Sequence, residues 1–476
     1  MKGECLVENI WDISAWGSVN LVAVLLLSLL FANLLKRKIK ILSKTLIPTS
    51  VLGGLILLII SIIYKTIFGT QLFNENIFGG NGISTLEMIT YHSLAIGFIA
   101  TSFKPSKEKF NKKRTVEVLN TGITTVATYL IQGIVGLAIT LFISSFIFKD
   151  FFAAAGIILP FGYGQGTGQA MNYGNIYETD YGFIGGKSFG LTIAAFGFLS
   201  ASIGGVFYLH MMKKKGKYKE VSEEKAEVYE ANDVQGSDEI PMNGSVDKIT
   251  VQMGFVLSTY LVAYIIMYFL GNLLPGLKSI LYGFNFLFGV LIAVAVNSAL
   301  KILKRKGVMK RQYVNNFLMN RISGFFFDIM IVAGIGAIQI DVLKGYWTVL
   351  LILGIAGLAT TYLYVKFVSR RIFPEYEDEQ FLSMYGMLTG TASTGIILLR
   401  EVDKRLEGNA AENLVYQNVP AIVFGFPMMI VATIAPQMPL ITLGIIVLYF
   451  LALNIFLFRS KIFKRKNMAK GKSNEN

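Results

Sequence analysis

Apolar residues run along the chain in long, nearly unbroken blocks, as in Leu21 to Leu35 and Leu440 to Phe458. A hydrocarbon layer of about 30 Å needs about 20 apolar residues per helix. Blocks of that length fall at about 18–35, 45–64, 86–103, 116–148 and 184–210, then at 250–271, 280–300, 320–340, 346–368, 411–436 and 440–458. The block at 116–148 is long enough to cross at a tilt. The alternation over about ten residues that marks a membrane barrel strand is missing. The predicted fold class is an all-α polytopic membrane protein.

Basic residues set the predicted orientation. They cluster just beyond apolar blocks, at Lys36 to Lys40, Lys104 to Arg114, Lys213 to Lys219, Lys301 to Arg311, Arg370 and Arg371, Arg400 to Arg405, and Arg459 to Lys472. With Lys44, Lys225 and Lys248, one topology puts 36 of the 44 basic residues on the cytoplasmic side, with the N-terminus outside and the C-terminus inside. That topology fails if residues 152–175 or 380–400 cross fully, because the next basic cluster then lies on the wrong side. Both segments are predicted to be re-entrant hairpins, the first dipping in from outside and the second from inside. Arms of about nine residues, or about 14 Å, reach the midplane.

Each half then runs four crossings, a hairpin and a crossing, starting from opposite sides. This is an inverted-topology repeat of five transmembrane helices plus one re-entrant hairpin, the plan of secondary transporters. The predicted units are 1–211, a hydrophilic cytoplasmic linker at 212–248, the second repeat at 249–436, and an extra C-terminal span with a basic tail at 437–476. The linker starts basic and turns acidic at Glu220, Glu223, Glu224, Glu227 and Glu230, and reads as solvated.

Composition narrows the function classes. Of 476 residues, 53% are hydrophobic and 16% charged, which excludes a soluble protein of this size. The formal charge of +14 is accounted for by the membrane-flanking clusters, so no nucleic-acid partner is expected. A lone Cys5 and two histidines exclude an internal disulfide and any His/Cys metal centre, and no cofactor is expected. The acidic start MKGECLVENIWD has no basic region or cleavage site, so no removable signal peptide is expected.

The chemistry concentrates at the hairpin tips, LPFGYGQGTGQAMNYG (159–174) and MYGMLTGTASTG (384–395). Gly162 and Gly386 precede Gly166 and Gly390 by four residues, and Thr167 and Thr391 follow, so both tips share G-x-x-x-G-T. A tip in the bilayer centre must be buried in protein or line a polar cavity. The arm ending near Gly162 and Gly164 offers carbonyls suited to Na+, as do Gly386 and Thr389 in the second tip. The arms starting at Thr167 and Thr391 offer free N–H groups and a positive dipole end for a carboxylate. Gln165, Gly166, Thr167, Gly168, Gln169, Thr389, Gly390, Thr391, Ser393 and Thr394 are the substrate-binding candidates. Small-residue packing alone would explain Gly53 and Gly54 or Gly204 and Gly205, but not a polar tip in each half.

At these residues the sequence resembles the bacterial sodium/glutamate symporter family. The resemblance is carried by TLIPTSVLGGLILLI (Thr45 to Ile59), by GQGTGQ (Gly164 to Gln169) with YGFIGG (Tyr181 to Gly186), and by GTASTG (Gly390 to Gly395) followed by a helix through Pro420 and Pro427. It implies Na+-coupled uptake of L-glutamate across the bacterial inner membrane by alternating access, in a homodimer. The chain departs from the family at Gln165, where members carry G-H-G-T, and at LLRE (Leu398 to Glu401). Both point to an alternative substrate, another small carboxylate.

Other residues invite competing readings. Asp328, in FFFDIM, is costly at its depth unless it faces a cavity or a partner. It is a candidate for the substrate's amino group or for Na+; the alternative is a structural pair with a neighbouring hydroxyl or with Arg321. Arg400 lies at a hairpin base and reads as a positive-inside residue, His92 as a packing histidine, and Trp16, Tyr346 and Trp347 as interface anchors. Gly162, Tyr163 and Gly164 echo a potassium filter, a cation-channel alternative, but lack the preceding Thr-Val and are not repeated in the second tip. No paired acids, metal site or activated nucleophile stands at the tips, so an enzyme is not expected.

Overall fold

The computed structural model describes residues 9–103, 111–217, 234–235, 238–242, 245–403, 406 and 408–459. Cys5, Lys104, Lys107, Lys109, Lys219, the acids Glu220 to Glu230, Lys404, Arg405 and the tail Lys461 to Lys472 lie outside them.

The described chain is helical. In order it forms α1 (Ile13–Lys38), α2 (Thr49–Phe68), α3 (Gly82–Ser102), α4 (Lys112–Phe146), α5 (Leu159–Tyr181), α6 (Gly186–Lys214), α7 (Lys248–Leu273), α8 (Asn285–Arg305), α9 (Asn316–Gly336), α10 (Trp347–Ile372), α11 (Glu377–Leu388), α12 (Ala392–Arg400), α13 (Asn409–Tyr416), α14 (Asn418–Ile434) and α15 (Pro439–Leu457). Ten of these helices are long and apolar enough to cross a membrane, and the pair α13 and α14, bent by 47°, brings the number to eleven if it crosses as one broken span. The protein is a multi-pass membrane protein, and each of the eleven predicted apolar spans falls on one of these elements.

Local sequence explains the breaks. α2 starts directly after Pro48 and ends where Gly69 takes the left-handed conformation, φ 74°. α10 ends on Arg370 and Arg371, cations at the negative end of its dipole, and α11 opens on Glu377, Asp378 and Glu379 at its positive end.

Two segments fold back instead of continuing. In α5 the helix is interrupted at Gly166, with φ 78° and ψ −168°, a region essentially open only to glycine. The Phe161 and Tyr173 rings stack with centroids 3.8 Å apart, and Phe152 meets Tyr177 at 5.5 Å. In an unbroken helix residues 161 and 173 stand about 18 Å apart, so the chain reverses at Gly166 and its arms run side by side. The second reversal joins α11 to α12: a Cβ on Gly386 would lie 2.8 Å from the Gly395 Cα. The returning arm of the first hairpin continues to Tyr181, beyond the predicted limit at 175. The acids Glu178 and Asp180 disguise it as a loop, but Tyr173, Tyr177 and Tyr181 recur at helical spacing. They donate to the carbonyls of Met429, Ala432 and Thr433 on α14 at 2.8, 2.5 and 3.2 Å. This ladder fixes the first hairpin against α14.

The described part of the linker is docked, not free. Glu239 pairs as a parallel β-bridge with Gln312, and its carboxylate meets Lys248 at 2.7 Å and Asn315 at 2.6 Å. Lys248 is 1% exposed, so this ion pair sits in the interior.

Candidate functional site

The site is built where the two reversals meet. A Cβ placed on Gly166 would lie 3.4 Å from Thr391 Cγ2 and 3.8 Å from the Gly390 carbonyl oxygen. The G-x-x-x-G-T tips of the two halves therefore touch. α6 passes beside both: a Cβ on Gly197 would stand 2.7 Å from the Thr389 oxygen and 3.4 Å from the Gly162 oxygen. Two predicted Na+-binding residues, one from each hairpin, thus present carbonyls to the same point on α6. Nothing in the sequence motif marks Gly197, since it lies in an ordinary apolar helix.

The remaining predicted residues divide clearly. Thr167 is fully buried, and its hydroxyl donates to the Met330 carbonyl on α9 at 3.2 Å. Gly168 packs against Leu94 and the Met330 sulfur. Gln165 is half-buried at the turn itself. Gln169 is fully buried, and neither its Oε1 nor its Nε2 has a hydrogen-bond partner among the described residues. An orphan amide in the interior costs about 1–3 kcal/mol, and this one lies in the first turn of the returning arm, the end of a helix where backbone N–H groups lack intrahelical acceptors. Donor and acceptor together suit a ligand bearing both a carboxylate and an ammonium group.

In the second tip, Thr389 is buried and bonds back to the Tyr385 carbonyl at 2.6 Å, as a hydroxyl one turn on does. Thr391 caps α12 in a reciprocal capping box with Thr394. Gly386 packs against Gly395, and Gly390 against Phe198 and Thr394. Ser393 is exposed. Gly164 faces the Tyr129 ring, and its carbonyl accepts the Tyr129 hydroxyl at 3.1 Å.

Asp328 is not brought to the tips. Residues 330 and 334 of α9 face the first hairpin, where Thr167 contacts both Met330 and Gly334. Position 328 lies on the opposite side. Its carboxyl sits by the Ser50 hydroxyl of α2, and the residue is exposed. Arg321 stacks on Phe317, 5.0 Å from the ring centre. His92 bonds the Tyr260 hydroxyl at 2.7 Å, a packing role. Tyr346 joins Phe151, Phe183 and Phe189 in an aromatic cluster.

The filter-like Gly162, Tyr163 and Gly164 are helical, and the Tyr163 hydroxyl is held by Ser200 at 2.9 Å and the Gly354 carbonyl at 2.5 Å. Among the described residues no cluster of three or more His, Cys, Asp or Glu forms a metal centre. The tips hold neutral donors and acceptors, an arrangement suited to reversible binding of a small ion pair in a low-dielectric interior.

Residues 15–405, which include both tips, all of α2 to α12 and α1 from its third residue onward, match the sodium/glutamate symporter family. No curated protein matches the chain.

Proposed function

The chain belongs to the sodium/glutamate symporter family, and from that membership we propose that it drives L-glutamate uptake with Na+, binding the substrate between its two hairpin tips. The observation that carries the proposal is the contact of Gly166 with Thr391 and Gly390, which joins the matching motifs of both halves at one place. Thr167 and Gln169 hold the substrate through N–H groups and neutral side chains, and Gly390 and Thr391, whose N–H groups bond to Met387 and Thr394, close the site against Gly166. The carbonyls of Gly162 and Thr389, gathered at Gly197, hold Na+.

The two halves act as inverted repeats and the hairpins as re-entrant segments of the inner membrane, with the N-terminus outside and the C-terminus in the cytoplasm. The protein works as a homodimer by alternating access, the hairpins moving against the remaining helices. The orphan amide of Gln169 supports an amino acid over a plain dicarboxylate, because only the amino acid engages both its donor and its acceptor.

The test is uptake of labelled L-glutamate into proteoliposomes under an inward Na+ gradient, against a choline control and with aspartate, glutamine and succinate as competitors. Saturable, Na+-dependent uptake blocked best by glutamate is expected. Na+-driven uptake blocked best by succinate would move the substrate to another carboxylate, and conductance without saturation would replace the carrier with a channel.

A further inference from the structure

α4 places two polar side chains, Tyr129 and Gln132, three residues apart and so on one face. Tyr129 donates to the Gly164 carbonyl near the end of the first arm of one hairpin. Gln132, fully buried, donates from Nε2 to the Leu388 carbonyl at 2.9 Å, at the end of the first arm of the other, and to Thr361 Oγ1 at 2.8 Å. One turn of α4 therefore reaches the carbonyl-rich end of both hairpins.

The orientation of the Gln132 amide is fixed by its partners. The Leu388 carbonyl can only accept, and the Thr361 hydroxyl spends its proton on the Gly357 carbonyl at 2.6 Å, so it accepts as well. Both N–H groups of Gln132 are used, and its Oε1 is left in the interior without a donor among the described residues. An amide oxygen lies roughly 2.2 Å from its own nitrogen, which puts Oε1 within about 5 Å of the Leu388 oxygen. Hard cations take oxygen ligands at about 2.3–2.6 Å, and an orphan amide oxygen beside main-chain oxygens offers one such ligand.

We propose that Gln132 Oε1 is a side-chain ligand of a coupling Na+ at the carbonyl end of the second hairpin, with the Leu388–Thr389 turn supplying main-chain oxygens. The proposal rests on the symport reading for its coupling role but not for the binding itself. A neutral amide lets the ion leave, whereas a carboxylate there would hold it more tightly.

The test uses the full-length protein in two assays. In the first, the melting temperature of detergent-purified protein is followed against Na+, with choline as control and no substrate present. Wild type is expected to be stabilised saturably by Na+. Gln132→Leu keeps the volume and removes the oxygen, and is expected to raise the Na+ concentration for half-effect by about tenfold or more. In the second, uptake is measured against Na+; the half-saturating Na+ rises equally, while KM for glutamate at saturating Na+ stays within about twofold of wild type. An unchanged Na+ half-effect in folded Gln132→Leu, or a fall in maximal uptake alone, assigns Gln132 a packing role and overturns the proposal. If Gln132→Leu does not fold, Gln132→Glu decides: it retains an oxygen, and a half-effect at or below wild type is expected, whereas a tenfold rise overturns the proposal. Absence of glutamate uptake in wild type, with a Na+ stabilisation lost in Gln132→Leu, removes the glutamate reading and keeps the ligand.

Discussion

Gly197→Ala separates local from tertiary preference. Within α6 an alanine is the better helix former by roughly 1 kcal/mol, so helix propensity favours the change. Packing opposes it: the new Cβ would lie 2.7 Å from the Thr389 oxygen, 3.2 Å from the Tyr163 Cα and 3.4 Å from the Gly162 oxygen. A relaxed carbon–oxygen contact is about 3.3 Å or longer, so the Thr389 carbonyl must retreat by about 0.6 Å. The two longer contacts limit how far α6 can yield instead. Overpacking of this kind costs about 1–3 kcal/mol, partly offset by propensity, so the protein still folds. The cost falls on the arrangement that brings both tips against α6. At about 1.4 kcal/mol per decade, that arrangement loses roughly 5- to 150-fold in population. Initial uptake rates against Na+ at saturating glutamate, with melting of the same preparation, give the readout. The half-saturating Na+ is expected to rise at least about fivefold with little loss of melting temperature. Gly444→Ala, where nothing lies within 4 Å of the new Cβ, leaves both unchanged. A folded Gly197→Ala protein with wild-type Na+ dependence would refute the convergence of the two carbonyls as a binding feature.

The remaining predictions concern polar groups with defined costs. Gln169→Leu removes an orphan amide and is expected to raise stability by about 1–3 kcal/mol in denaturant melts while abolishing uptake; a stable variant with normal uptake would exclude the amide as a ligand. Thr391→Val keeps the shape and loses the α12 cap, so it should cost about 0.5–2 kcal/mol of stability and cut uptake, while Thr167→Val should cut uptake with little loss of folded protein. Glu239→Gln strands the buried Lys248 and should destabilise by about 3–5 kcal/mol, most of it restored by adding Lys248→Met; melts of the single and double variants decide. Lys65 hydrogen-bonds Asp341 and holds its carboxyl below the usual 3.8. The contribution of the pair is thus complete above about pH 5 and is lost as pH falls through 3.8 toward the lowered value. Both side chains are partly exposed, so Asp341→Asn changes stability at pH 7 by no more than about 1 kcal/mol, and melts from pH 5 to pH 2 should lose that pair's acid sensitivity.

The crossings were legible because a hydrocarbon solvent imposes one simple demand, about 20 apolar residues per helix, and ten helices meet it singly. The two chain reversals fall inside the glycine-dense polar segments that the sequence sets apart from the apolar spans, because such segments have no use in an ordinary span. Gly197 and Gln132 were not legible. Their importance lies in distances of 2.7–3.4 Å and 2.8–2.9 Å to residues far away in the chain, which no local pattern encodes. Asp328 carried two readings in the sequence, a ligand or a structural pair with a neighbouring hydroxyl, and the contact with Ser50 is of the second kind. Helical phase places it on the α2 face, beside Ser50 and away from the tips. The tyrosine ladder was readable in principle, but polar neighbours masked its four-residue period.

On the proposed function, coupling follows from how little chain separates the two kinds of end. In the first hairpin the outgoing arm stops at Gln165 and the returning arm begins at Thr167, with Gly166 between them. Carbonyl oxygens suited to Na+ and N–H groups suited to a carboxylate therefore stand within about 10 Å of each other. Opposite charges about 10 Å apart at an effective dielectric of about 20 attract by roughly 1.7 kcal/mol, enough to couple the two affinities by about fifteenfold. The effect is reciprocal, so Na+ must tighten glutamate by the factor by which glutamate tightens Na+. The tip contact adds a second condition, because Gly390 and Thr391 meet the same turn only while the hairpins are together. Binding of both ligands thereby favours the joined tips over separated ones. Calorimetric titrations of glutamate at low and saturating Na+ measure the coupling directly, and equal affinities in the two would remove electrostatic pairing at the tips as its source.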